Sequence, residues 1–187
     1  MIRIGEPIPA QRLPAYHAGS LTEVDLADGR GRWTVLLFYP GDFTFVCPTE
    51  LREATRLFPR FEEYGARILS VSTDSVWVHK AWADASSTAA AIPFPMLSDP
   101  GGRLAQMFGT YDADAGVALR GTFLVDPDGR LAAMEIHADP IGRNIEELLR
   151  RVQAASFVRQ NPGQVCPVSW RPGESTLTRG LALVGAI

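Results

Sequence analysis

Hydrophobic and polar positions along the chain fall into short runs with two different periods. Val35 to Tyr39 is continuously apolar and Ala66 to Ser72 nearly so, the pattern of strands covered on both faces. Between them, Leu51, Ala54, Phe58 and Phe61 recur at helical spacing, which predicts a helix over Pro48–Tyr64 ending at Gly65. Pro59 is expected to kink or interrupt it. Leu13 to Leu26 reads as a hairpin turning at Ala18, Gly19 and Ser20. Ser75–Ala85 reads as a helix capped by Asp74 or Ser75, followed by a short apolar run at Phe94–Leu97 and a helix over Gly102–Phe108. Val117–Val125 and Leu131–Ile136 flank Asp126, Pro127, Asp128 and Gly129, hence strand, turn and antiparallel partner. Over Arg143–Phe157, Ile145, Leu148, Leu149 and Val152 share one helical face, with Glu146/Arg150 and Glu147/Arg151 spaced as i,i+4 pairs.

This order, βαβ and then ββα, predicts an α/β sandwich around a mixed sheet with an N-terminal hairpin. It is the order of the thioredoxin fold, although pattern alone leaves other α/β sheets open. Beyond Arg159 the periodicity is lost and Gly and Pro recur. Residues 1–158 therefore read as one domain and 159–187 as an extended C-terminal arm. There is no internal repeat.

Composition narrows the function. A net charge of -3 without a Lys/Arg cluster argues against nucleic acid or an anionic membrane as partner. The N-terminus has no basic stretch leading into an apolar one, and no apolar run reaches the length of a membrane span, so a cytoplasmic protein is expected. Two cysteines are too few for a secreted disulfide scaffold or a structural zinc site, and no metal or cofactor site is read. The absence of Cys-x-x-Cys counts against a dithiol exchanger.

The chemistry concentrates in the run Phe43 to Leu51, FTFVCPTEL. Most free cysteines merely fill space. Cys47, however, is delivered by a buried strand to the mouth of a helix, with Pro48 suited to the first helical position. Backbone N–H groups there favour a thiolate. Thr44 lies one turn back, where its hydroxyl either reaches the sulfur or only caps the loop. Arg120 is a permanent cation in an apolar strand, expensive unless paired or used, or else a solvated strand end. The three histidines, His17, His79 and His137, lie outside these runs and read as structural or surface residues.

The segment YPGDFTFVCPTE (39–50) resembles the active-site segment of the typical 2-Cys peroxiredoxins, of the alkyl hydroperoxide reductase C type. SVSTDS (70–75), HKAW (79–82), RGTFLVD (120–126), IGRN (141–144), LRRVQA (149–154) and QVCPVSW (164–170) are similar to further family segments in order, across nearly the whole chain. The resemblance implies a thioredoxin-like fold and a thiol peroxidase for hydrogen peroxide and organic hydroperoxides that needs no cofactor. Cys47 would be the peroxidatic cysteine, shielded by Pro40. Thr44 and Arg120 would hold peroxide and thiolate, and Glu50 and Arg143 would support them. Cys166 would be the resolving cysteine, supplied by the other subunit of a homodimer, itself expected in a ring of five dimers. The reductant would be thioredoxin or a flavoprotein disulfide reductase. Gly41 and the pair Val168-Ser169 depart from the family pattern, where a bulkier residue and Ala-Asn or Ala-Gly are usual. The glycine-rich and Tyr-Phe motifs of over-oxidation-prone members are missing from Ser86–Ala91 and from the tail after Leu181, so resistance to over-oxidation is expected. Rival readings are a peroxide sensor or relay and a holdase chaperone.

Overall fold

The computed structural model describes residues 1–185, so the last two residues of the tail lie outside it. The chain opens with an antiparallel hairpin, β1 (Arg12–His17) and β2 (Ser20–Asp25). Its two-residue turn, Ala18-Gly19, has positive φ at both positions, which matches the twist of the flanking strands. Strand β3 (Trp33–Phe38) is buried at every position and leads through a loop into helix α1 (Cys47–Glu63). Next come β4 (Ala66–Ser72), α2 (Val76–Ala85), a one-turn helix α3 (Ser87–Ala90), β5 (Met96–Ser98) and α4 (Arg103–Phe108). A two-residue hairpin, β6 (Tyr111–Asp112) with β7 (Val117–Ala118), precedes the long antiparallel pair β8 (Arg120–Val125) and β9 (Leu131–His137). Helix α5 (Ile145–Gln160) and a small pair, β10 (Gln164–Val165) with β11 (Leu177–Thr178), complete it.

The main sheet has seven strands in the order β2-β1-β5-β4-β3-β8-β9. β3 is parallel to β4 and antiparallel to β8, so the sheet is mixed. Alternation along β3 explains the two cores. Trp33, Val35 and Leu37 pack with residues of α1, α2 and α5, while Leu36 and Phe38 pack with α4, Phe108 and Phe123. This is the thioredoxin-like architecture, one of the α/β sheets that the alternating strands and helices allow.

Four expectations are corrected. Pro59 does not interrupt α1: the helix runs through it, because Leu57 and Phe61 are buried in the core and Phe58 stacks 5.8 Å from Phe94. Packing on both sides outweighs the lost backbone bond. The apolar run Val117–Val125 is not one strand. It breaks at Leu119, whose N–H turns to Thr110 O. Gly121 then passes so close to Thr110 that an added Cβ would lie 2.3 Å from its methyl. Glu146 pairs with Arg56, not Arg150, while Glu147 holds both Arg150 and Arg151. Finally, α5 runs from Ile145 to Gln160, not from Arg143 to Phe157, with Asn144 as its N-cap. The helix α3 has no periodic signal at four residues; only its Ser86 cap marks it.

Candidate active site

Cys47 is the first residue of α1 and is fully buried. The turn ahead of it is built locally. Thr49 donates both its N–H and its hydroxyl to the Val46 carbonyl, and Pro48 occupies a position whose N–H would have no partner. Register then delivers the arginine. β8 pairs with β3, so Arg120 at its start comes out beside the end of β3 and the mouth of α1. One guanidinium nitrogen donates to Cys47 Sγ at 3.3 Å and to Glu50 Oε2 at 3.1 Å. The other terminal nitrogen donates to Asp139 Oδ1 at 2.8 Å, and Nε donates to the Asp139 carbonyl.

Glu50, one turn after Cys47, ties the arginines together. Arg143 donates its backbone N–H and Nε to Oε1 and a terminal nitrogen to Oε2, at 2.8–3.0 Å. Arg143 also reaches the Gly121 carbonyl and the Thr122 hydroxyl, which fixes it to the same strand as Arg120. Burial works to raise the Glu50 carboxyl, but bonds from Arg143 and the charge of Arg120 outweigh it and hold the group below the ordinary glutamate range. Burial likewise works against the Arg120 charge, and its contacts with Cys47, Glu50 and Asp139 outweigh that and strengthen it. Two buried guanidinium groups face one buried carboxylate. Asp139, the remaining anion, has a side chain 63 % exposed and is screened by water. The excess positive charge is aimed at Cys47.

The structure thus brings Cys47, Glu50, Arg120 and Arg143 together. Pro40 and Thr44 lie on the loop between β3 and α1, both half-buried. The Thr44 hydroxyl donates to the Gly41 carbonyl at 2.8 Å and not to the sulfur, so the loop-capping alternative describes its bond here. Its lone pairs remain free to accept. Cys166 stands apart, in the arm, with Sγ 3.9 Å from the Ala154 carbonyl midway along α5. Its thiol is pushed up by burial, an effect the Arg150 charge opposes. The arm is anchored by Trp170, which is buried, lies 4.9 Å from the Phe157 ring and donates its indole N–H to the Glu174 carbonyl. Ser169, beside it, has a left-handed φ of 59°, the conformation that Asn or Gly takes without strain. The departure at Val168-Ser169 therefore has a backbone cost.

Sequence reasoning missed Asp139 and the partnership of His79 with Asp42. Asp139 gives no local signal, since only the β8–β9 pairing carries it back to Arg120. His79 lies outside the runs that carry the chemistry, yet it is completely buried and bonded to Asp42 on the active-site loop. Among the described residues no cluster of His, Cys, Asp and Glu could hold a metal ion, and no helix is long and apolar enough to cross a membrane.

A thioredoxin-like sheet that presents a buried cysteine at a helix mouth, bonded to an arginine on the antiparallel strand, defines a peroxiredoxin, a thiol-dependent peroxidase. The model of the AhpC/TSA family matches residues 4–134. The chain is 43% identical over 187 residues to alkyl hydroperoxide reductase C of Bacillus subtilis (strain 168), covering all of both chains. It is 44% identical over 191 residues to the selenocysteine-containing peroxiredoxin PrxU of Peptoclostridium acidaminophilum, covering all of this chain and 94% of that one. The crystal structure of AhpC from Enterococcus faecalis superposes with a TM-score of 0.86 at 44% identity, over 89% of this chain and all of that one. The chain belongs to the AhpC/TSA family, as a peroxiredoxin of the alkyl hydroperoxide reductase C type.

Proposed function

We propose that the chain reduces hydrogen peroxide and organic hydroperoxides through Cys47, with Cys166 of a second subunit as the resolving thiol. The observation that carries the first half is the 3.3 Å bond from Arg120 to Cys47 Sγ, backed by Glu50 and Arg143. The Cys47 thiolate attacks the terminal oxygen of ROOH. The S–O bond forms as the O–O bond breaks, the sulfur is oxidised to a sulfenic acid, and RO⁻ leaves and takes a proton from solvent as ROH. Negative charge moves from sulfur to the departing oxygen. Arg120, already fixed by Glu50 and Asp139, stabilises that shift without reorganising, and Thr44 accepts from the peroxide hydrogen. Pro40 excludes water from the loop side.

The Cys166 thiol then attacks the sulfenic sulfur, forming the disulfide and releasing water. Within one subunit the geometry opposes this. Arg143, bound to Glu50 beside Cys47, stands just ahead of the N-cap of α5, whereas Cys166 contacts Ala154, midway along the helix. That separation is about 13 Å of helix, while a disulfide needs its two Cα atoms within about 7 Å. A partner's cysteine is the simpler supply. Support for a dimer comes from β9, the outermost strand of the sheet, whose Met134 and Ile136 are exposed. Exposed Phe45 and Trp77, on the active-site loop and on α2, offer apolar surface for assembly of dimers into a larger ring. An external dithiol, from thioredoxin or a flavoprotein disulfide reductase, closes the cycle.

A non-reducing gel after one equivalent of peroxide tests the cycle. Wild type gives a covalent dimer. Cys166→Ser gives none, yet still consumes one equivalent of peroxide rapidly, and its steady-state turnover with a dithiol reductant falls at least about a hundredfold. A monomeric disulfide band defeats the intersubunit assignment. A separate titration with excess peroxide, read by mass spectrometry, is expected to show little sulfinic acid on Cys47 at modest excess, since the segment read for the over-oxidation motif is here the one-turn helix α3 and the stretch from Leu181 to Leu183 is a single 3-10 turn.

A further inference from the structure

The loop from Pro40 to Val46 has two incompatible duties under the cycle proposed above. It must stay closed while Cys47 sits under Arg120, and it must open, with the first turn of α1, for Cys47 to meet Cys166. We propose that His79 on α2 is the positioning residue that sets this balance, latching the loop through Asp42.

His79 and Asp42 both have side chains with no exposed surface, and their Nδ1–Oδ2 distance is 2.7 Å. The other ring nitrogen faces the Leu97 carbonyl of β5 at 3.3 Å. Both ring nitrogens lie within reach of oxygen atoms, so the imidazole is held from the loop and from β5 at once. The remaining Asp42 oxygen accepts from the Tyr39 hydroxyl at 2.8 Å, so both carboxylate oxygens are engaged. The same residue's backbone N–H donates to Asp74 Oδ2 at 2.9 Å, and Asp74 is itself held by the Ser72 and Ser98 hydroxyls. Next along the loop, the Phe43 ring lies 6.2 Å from buried Trp82, one turn after His79. None of these groups is bonded to Cys47, Glu50, Arg120 or Arg143.

The loop needs such a latch. Phe43 has φ of +54°, the left-handed region, which a bulky residue adopts only under strain. A strained loop relaxes when released, and a buried, hydrogen-bonded His–Asp pair opposes that release. The result is a two-state element whose closed form assembles the peroxide site and whose open form serves resolution.

Hydrogen–deuterium exchange on the reduced, full-length protein tests the latch without peroxide. His79→Asn is expected to raise exchange about tenfold in residues 41–50 and to leave the strands β3 and β4 unchanged. With hydrogen peroxide in rapid mixing, Cys47 oxidation slows about fivefold while disulfide formation speeds up about tenfold. Phe43→Ala, at an exposed position that tolerates the change, moves both in the same directions by less. It serves if His79→Asn does not fold. Unchanged loop exchange in the variants overturns the latch. So does a parallel fall in both rates, which a merely structural role would give. A wild type that exchanges as expected but never oxidises at Cys47 defeats the peroxidase assignment and not the latch.

Discussion

Replacing Arg120 with methionine is expected to slow the reaction of Cys47 with peroxide by about two to three orders of magnitude. The side chain is the one cation bonded to the sulfur among the described residues, and it is immobilised on three sides, by Glu50, by the Asp139 carboxylate and by the Asp139 carbonyl. The donor is therefore in place before charge develops on the departing oxygen, so its loss raises the barrier by about 3–4 kcal/mol. Lysine does not rescue it. A single ammonium cannot span Cys47, Glu50 and Asp139 from one strand position, whereas the planar fork does. The fold survives, because Arg143 still holds both oxygens of Glu50. Stopped-flow measurement of the first turnover, with thermal melting alongside, separates the two effects. A rate within threefold of wild type at an unchanged melting temperature removes Arg120 from the chemistry.

Glu50→Ala is expected to be the most destabilising single change at the site, at about 3–5 kcal/mol. It leaves two guanidinium groups with almost no exposed side-chain surface facing each other without their shared anion. For a domain of this size that lowers the melting temperature by roughly 10 °C. Glu50→Gln keeps the shape and some bonds and costs less. The pH dependence follows from the direction of the shift. The folded carboxyl is held below its unfolded range, so its stabilisation is complete above the ordinary glutamate range and is lost as pH falls through the lower folded value. The stability gap between wild type and Glu50→Gln should therefore be constant near neutrality and shrink in acid, below about pH 4. Denaturant unfolding at a series of pH values reads it, and a gap that stays constant into acid contradicts the charge argument.

Much of the fold is legible because it is encoded over short spans. The run Ala66–Ser72 is a strand at those limits, and the helix after Cys47 starts where Pro48 permits. Pro59 leaves α1 uninterrupted because the local rule is set against packing of Leu57, Phe58 and Phe61 on partners that no window on the sequence contains. For Thr44 one turn of separation left two acceptors open to its hydroxyl, and the structure shows it donating to the Gly41 carbonyl, on a loop turned by the left-handed Phe43. Arg120 was visible as an expensive cation, and the structure supplies its partners, one of which, Asp139, carries no sequence signal at all.

The sequence by itself determined the alternation of strands and helices, the position of Cys47 at a helix mouth and the two-cysteine pattern. These rest on side-chain periodicity, proline geometry and residue type, all properties of a few consecutive residues. Only the tertiary structure decided which charges meet. Coulomb interactions fall with distance through space, and the β3–β8 and β8–β9 registers are what bring Arg120 to Cys47 and Asp139 to Arg120. It also decided that His79, which along the chain reads only as a structural or surface residue, is buried against Asp42 on the loop leading to Cys47. A buried imidazole gains its role from the acceptors around it, and those come from a loop and a strand that are distant in sequence.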